Sequence, residues 1–195
     1  DTDVLITEST YGDRNHPSRE NIRGRLKDYI TFIYQHRSKL IIPAFSVGRT
    51  QQLLYILNGL VESHAIPPIP VFVDSPLSKK ATEITEHHQE CYNNNLIGDV
   101  LKGDDPFKFP GLQFTNTVED SMKLNDAKGP MIIISASGMC EGGRILHHLR
   151  NSVSNPLNII LITGFQAENT LGRRIVEQAP IIKIFGEEHE LRSTV

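Results

Sequence analysis

The residues able to do chemistry in this sequence gather where extended apolar runs end. Val4–Thr7 leads into Glu8-Ser9-Thr10-Tyr11-Gly12-Asp13-Arg14, with His16 close behind. Leu40–Pro43 leads into Ala44-Phe45-Ser46-Val47-Gly48-Arg49-Thr50, and Val71–Val73 into Asp74-Ser75-Pro76. Met131–Ile134 is followed by Ser135-Ala136-Ser137-Gly138-Met139, and Asn158–Ile162 by Thr163-Gly164-Phe165-Gln166. Hydroxyls and glycines recur at nearly every exit. Hydroxyls and backbone amides at helix N-termini hold anions, so phosphate is the ligand class these segments suit. The same small polar residues also cap helices and make turns for structural reasons alone. Glu8 is the hardest to explain structurally, because a carboxylate ending a buried strand needs a partner or a task. Its bland alternative is a cap over Ser9–Gly12.

Other chemistries find less support. No G-x-x-x-x-G-K-[ST] loop is present, and Gly138, Gly142 and Gly143 miss the G-x-G-x-x-G spacing. Ala44-Phe45-Ser46-Val47-Gly48 resembles a nucleophile elbow lacking its first glycine, with Asp74 and His189 in the right order for a serine hydrolase triad. Only one strand precedes it, whereas such elbows sit deep in their sheets; helix capping is the competing role for Ser46. His87, His88 and Cys91 have helical spacing for part of a metal site, but no third and fourth ligands accompany them. His147 falls opposite Ile145, Leu146 and Leu149 on a helix, which reads as an exposed position.

The elements that must position these residues follow from periodicity. Several strand-like runs are apolar without alternation, as in strands covered on both faces of a parallel sheet. Ile181–Ile184 is a sixth such run. Ile22, Leu26, Tyr29, Ile30 and Ile33 share one helical face, with Pro17 placed to start that helix. Leu53, Leu54, Leu57, Leu60 and Val61 mark a second helix, a third follows Ser78, and shorter ones follow Thr117, Gly143 and Asn169. This alternation predicts an α/β fold: a doubly wound, mainly parallel sheet with helices on both faces. Residues 93–113, rich in Asn, Asp, Gly and Pro, read as a loop or small excursion within one domain spanning 1–195.

Composition narrows the setting. The 195 residues are 38% hydrophobic, enough for a packed core, and no run approaches the roughly 18–20 apolar residues of a bilayer span. No membrane partner is therefore expected. Two cysteines cannot make a disulfide framework, which favours a reducing, cytoplasmic location. The start at Asp1, without Met or signal peptide, suggests a piece of something longer. The net charge of −3 argues at face value against a polyanion partner. Locally the balance differs: Arg14, Arg19, Arg23, Arg25, Lys27, Arg37 and Lys39 face only Asp13, Glu20 and Asp28. Between Asp74 and Asp105 the sign reverses, with seven acids against Lys79, Lys80 and Lys102. A polyanion feels such local fields more than the total.

Taken together, the five exit segments, with Gly142-Gly143-Arg144, Ala167 and Thr170-Leu171-Gly172, resemble the β-CASP region of RNA-processing metallo-β-lactamase proteins. The likeness covers nearly the whole chain, in the family's order, and is nearest to the RNA-acting branch. It implies a Rossmann-like β-CASP domain inserted into a metallo-β-lactamase domain, with a two-zinc site in the cleft between them. The His-x-His-x-Asp-His signature has no counterpart here, so no metal ligands are expected in this sequence, and two zinc ions are implied for the parent. Of the family's catalytic motifs only the acidic one is matched, by Glu8, which would orient a histidine lying beyond Val195. Arg14, His16, Ser46, Arg49, Ser135, Ser137 and Gly138 are then expected to contact RNA backbone, with Ser9, Thr10, Tyr11 and Arg144 in the same site. The expected role is an RNA-binding clamp of a zinc-dependent ribonuclease, inactive in isolation. Expected partners are RNA, the parent's own metallo-β-lactamase domain and, in the parent, a second copy of the chain. The alternatives are a serine hydrolase built on Ser46 and a noncatalytic nucleic-acid or protein-interaction paralogue.

Overall fold

The computed structural model describes residues 2–15 and 21–195. His16 and Pro17, singled out above, lie outside the described residues. The order of elements is α1 (Ile22–His36), β1 (Lys39–Pro43), α2 (Arg49–Glu62), β2 (Val71–Asp74), α3 (Pro76–His87), a 3-10 turn (Gln89–Cys91) and α4 (Asn94–Leu101). There follow β3 (Leu112–Phe114), α5 (Val118–Asp126), β4 (Met131–Ser135), α6 (Ile145–Arg150), β5 (Ile159–Ile160), α7 (Leu171–Val176), β6 (Ile181–Ile184) and β7 (Glu187–Glu190).

Five strands form a parallel sheet in the order β3-β2-β4-β1-β5. The crossover from β1 to β2 passes one way over β4, and that from β4 to β5 passes the other way over β1. Right-handed crossovers in opposite directions place their helices on opposite faces, which makes the fold doubly wound. The packing follows the pleat. Leu40 and Ile42 of β1 join Val71, Val73, Ile132 and Ile134 against Leu26, Ile30 and Ile33 of α1 and Leu53, Leu54 and Leu57 of α2. Ile41, between them, faces the other layer with Ile133, Ile160, Ile145, Leu149 and Ile175. Strands buried on both sides need apolar residues at every position, which is why these runs do not alternate.

Two elements differ from the sequence reading, and a third is more regular than its composition suggests. Val4–Thr7 forms no strand; Val4, Leu5 and Ile6 are 74%, 80% and 92% exposed. A strand needs a neighbour to complete its ladder, and the edge beside β5 is taken by Thr194, whose carbonyl accepts from Ile160 N–H at 2.8 Å. Ile181–Ile184 is a strand, but it pairs antiparallel with β7 in a separate hairpin. Its two-residue turn, Phe185-Gly186, has positive φ at both positions (53° and 82°), the twist that suits such hairpins. Residues 93–113, read above as a loop or small excursion, hold α4, capped by Asn93 accepting from Leu96 N–H, and the start of edge strand β3. Among the described residues, no helix is long and apolar enough to cross a membrane.

Burial sorts the leucines energetically. Leu54→Ala, at a fully buried position, is expected to cost about 2–5 kcal/mol in urea unfolding. Leu101→Ala, at a position 83% exposed, is expected to stay within about 0.5 kcal/mol of wild type.

Candidate nucleic-acid interface

Strand register brings the exits together. Ser135, ending β4, lies opposite both Pro43 of β1 and Asp74 of β2, so three central strands stop at one level. Ligands of parallel sheets sit beyond these carboxyl ends. The β1–α2 loop is pinned from several sides: Thr50 donates to Phe45 O at 2.9 Å, and Gln51 donates to Ser46 O at 3.2 Å and accepts from Gly48 N–H at 2.7 Å. Gly48 opens α2 with φ +80°, a conformation glycine adopts without strain. Ser75 caps α3, accepting from Ser78 N–H at 3.1 Å, and its hydroxyl lies 3.2 Å from that of Ser46. Ser46 and Ser75 thus face each other between two helix N-termini. Arg49 is exposed beside them, with its guanidinium on Gln52 at 3.1 Å.

The segment 136–143 between β4 and α6 closes on itself through Ser137 N–H to Gly142 O at 3.1 Å. Gly143 has φ +82°, and a Cβ there would lie 2.5 Å from Ala136 O, so glycine is required. Phe45 packs against Gly138 so tightly that a Cβ on residue 138 would sit 2.8 Å from its ring. Gln166 donates to the carbonyls of Gly138 and Phe165 at 3.0 Å each, tying the β5 exit to this segment. The N-terminal turn reaches the same place. Tyr11 meets Phe165 edge-on with centroids 6.2 Å apart, and the Arg14 guanidinium lies 5.8 Å from both rings. Glu8 and Ser9 through Thr10 are exposed on that turn, and Glu8 accepts from Thr10 N–H at 3.0 Å. Ser137 is half-buried, its hydroxyl accepting from Glu141 N–H at 3.1 Å.

Ser135 and Arg144 sit in the supporting layer beneath this rim. Ser135 is buried and donates to Asp74 O at 2.9 Å, while Arg144 places Nη1 2.7 Å from Asp74 Oδ1. Asp74 itself has no solvent exposure and also accepts from Thr115, from Ser121 at 2.5 Å and from His148 Nε2 at 2.5 Å. The far side of the His148 ring meets Asn125 Oδ1 at 2.8 Å. Burial alone would raise the Asp74 carboxyl, but hydrogen bonds from His148, Ser121, Thr115 and Arg144 outweigh it and hold the group well below the ordinary carboxylate range. Sequence reading missed this cluster. Its one visible sign is the i, i+4 spacing of Arg144 and His148, which puts two basic groups on one side of α6.

That cluster also disposes of the triad. Asp74 pairs with His148 rather than His189, both ring nitrogens of His148 are engaged, and Ser46 pairs with Ser75. His189 lies on β7 beside Glu187 at 3.9 Å. A nucleophilic serine needs a base in hydrogen-bond reach, and Ser46 is given a second hydroxyl instead. The metal reading of the third helix fares similarly: His87 bonds Glu83 O at 2.6 Å, His88 bonds Glu90 at 2.7 Å, and Cys91 is exposed. Among the described residues, no three His, Cys, Asp or Glu side chains converge as a metal ion requires. The described residues do not fit a zinc centre.

The fold and the shared strand exits define a doubly wound α/β module, and comparison with known proteins places it. The Beta-Casp domain model matches residues 50–175, and the chain belongs to the β-CASP family of the metallo-β-lactamase proteins. It is 36% identical over 194 residues to Ribonuclease TTHA0252 of Thermus thermophilus, covering 99% of this chain and 44% of that protein. It is 33% identical to an RNase J-like protein of Methanocaldococcus jannaschii, covering 99% and 44%. With endoribonuclease ysh1 of Schizosaccharomyces pombe it shares 30% identity, covering 99% and 25%. The chain spans less than half the length of these relatives.

The depressed Asp74 carboxyl has a pH signature. It stabilises the fold above about pH 4, where the unfolded chain's carboxyl is ionised, and the contribution drains away as pH falls toward the lower folded value. Asp74→Asn is expected to be less stable than wild type at pH 7 and to lose less stability on acidification below about pH 4. Urea unfolding across pH 2–7 measures both; an acid limb identical to wild type would remove Asp74 from the transition.

Proposed function

We propose that this chain is the RNA-binding clamp of a ribonuclease, holding the phosphate backbone along the strand-exit rim. The observation that carries the reading is the meeting of the exits in one place: the Ser46–Ser75 pair lies between the N-termini of α2 and α3, beside the segment 136–143. Backbone amides at helix starts, hydroxyls and exposed guanidiniums are the groups that take phosphates without reading bases. Arg14 and Arg49 supply charge, and Ser9, Thr10, Ser46 and Ser137 supply hydroxyls; Gly138, expected from the sequence to touch RNA, is instead buried against Phe45 and serves the frame. Tyr11, packed with Phe165 and Arg14, offers an aromatic edge to the same path. Ser135 and Arg144 act from beneath, by holding the frame. The names of the relatives, ribonuclease and endoribonuclease, support RNA as the substrate.

Glu8 is an exposed carboxylate on the N-terminal turn. By family resemblance its proposed task is to orient a histidine contributed from outside this sequence, the proton donor to the leaving group. The zinc ions implied for the parent find no ligands among the described residues, so the work proposed for this chain is binding and orientation.

Two measurements on the full-length protein test the proposal. Arg49→Ala and Arg14→Ala are each expected to weaken RNA binding and to lower the slope of log K against log salt by about 0.7, the value of one phosphate contact on a single strand. Unchanged affinity and slope would take those arginines off the RNA path. Glu8→Gln is expected to slow cleavage by about a hundredfold or more with RNA affinity and fold retained. A wild-type protein that binds RNA but never cleaves it would instead favour the noncatalytic paralogue.

A further inference from the structure

The segment 136–143 carries Ser137 of the rim and the buried Gly138 on which Phe45 packs, yet it has neither helix nor strand of its own. Both of its ends are fastened to one residue. At its start, Ser135 Oγ donates to Asp74 O at 2.9 Å. At its end, Arg144, the first residue after Gly143, places its guanidinium 2.7 Å from Asp74 Oδ1. The next residue after Asp74 is Ser75, which caps α3 and meets Ser46 across the exits. The base of the segment is closed by Ile145 N–H to Ala136 O at 3.2 Å.

We propose that Asp74 is a positioning residue, which sets the height of the segment 136–143 against the Ser46–Ser75 pair and so shapes the phosphate path. The proposal rests on the clamp reading above. Asp74 is wholly buried, out of reach of a ligand on the rim; its carboxylate acts through Arg144, while Ser135 holds its main-chain carbonyl. Its carboxylate divides its donors between two oxygens, Arg144 and Thr115 on Oδ1, His148 and Ser121 on Oδ2. Arginine is always a donor, so the Oδ1 side must present an acceptor for the segment's end to stay fastened. Asparagine can keep that acceptor; alanine cannot. Ser121 binds the same carboxylate from α5 and has no bond to the segment, which makes it the control.

The test combines amide hydrogen exchange with RNA binding and cleavage by the full-length protein, well below its unfolding temperature. Asp74→Ala is expected to speed exchange across 136–143 and lower kcat/KM on RNA at least about tenfold, as a displaced positioning element does. Asp74→Asn is expected to recover most of both. Ser121→Ala is expected to lower the unfolding temperature while leaving both near wild type, which a merely structural role for Asp74 would not allow. Should Asp74→Ala fail to fold, Arg144→Met cuts the same fastening and is expected to show the same exchange change. Wild-type exchange over 136–143 in the folded variant, or equal loosening in Ser121→Ala, overturns the positioning role. Failure of the wild-type protein to bind RNA overturns the clamp reading, and the two failures are read in separate measurements.

Discussion

A carboxylate with no solvent exposure ends β2, beside the central strand β4, and much of the exit face is arranged to make that burial tolerable. Desolvating a lone carboxylate costs several kcal/mol, and partial compensation would leave the fold weaker than an apolar core. Asp74 meets four side-chain donors drawn from three places: Thr115 after β3, Ser121 in α5, and Arg144 and His148 flanking and within α6. Those donors determine how α5 and α6 lie on the sheet. Helix α6 has six residues, too few to persist alone. Ile145 and Leu149 bury it, and Arg144 and His148 give it one orientation.

That arrangement divides the exit face into two layers. Beneath lie Asp74, Ser135, Arg144 and His148, bonded to one another, and Gln51 and Gln166, which hold the backbone of the exit loops. Above them lie groups with surface to offer, among them Arg14, Arg49, Ser46 and the turn carrying Glu8. A polyanion-binding rim needs such a division, because a donor committed to a buried carboxylate has little left for a phosphate. Of the arginines at the strand exits, Arg144 is turned onto the buried Asp74, while Arg14 and Arg49 are exposed.

Much of the fold was legible because parallel strands advertise themselves. Leu40-Ile41-Ile42 and Met131 through Ile134 are apolar at every position, which only double-sided burial demands. The same signal misled at Val4–Thr7, where an apolar run has no neighbouring strand among the described residues. It was silent at Glu187–Glu190, a polar strand held by its hairpin turn and by cross-strand pairing with β6. Periodicity reports what a strand would bury, not whether a partner is there to pair with it. Of the site, the exit segments themselves were readable, since helix starts and tight turns call for local residue types.

By itself the sequence determined the sheet's core strands, their helices and the order in which hydroxyl-rich loops leave the strands, because these depend on residues near one another in the chain. Tertiary structure decided which side chains face solvent at the strand exits and which face inward. Arg49 and Arg144 look alike in sequence, each closing a glycine-containing loop at a helix start. One is exposed, and the other is turned onto a carboxylate seventy residues away in the chain. The same holds for Asp74, offered by its order in the chain as a partner for His189 and found bound to His148. Pairing across such separations is fixed by strand register and crossover direction, which no local pattern encodes.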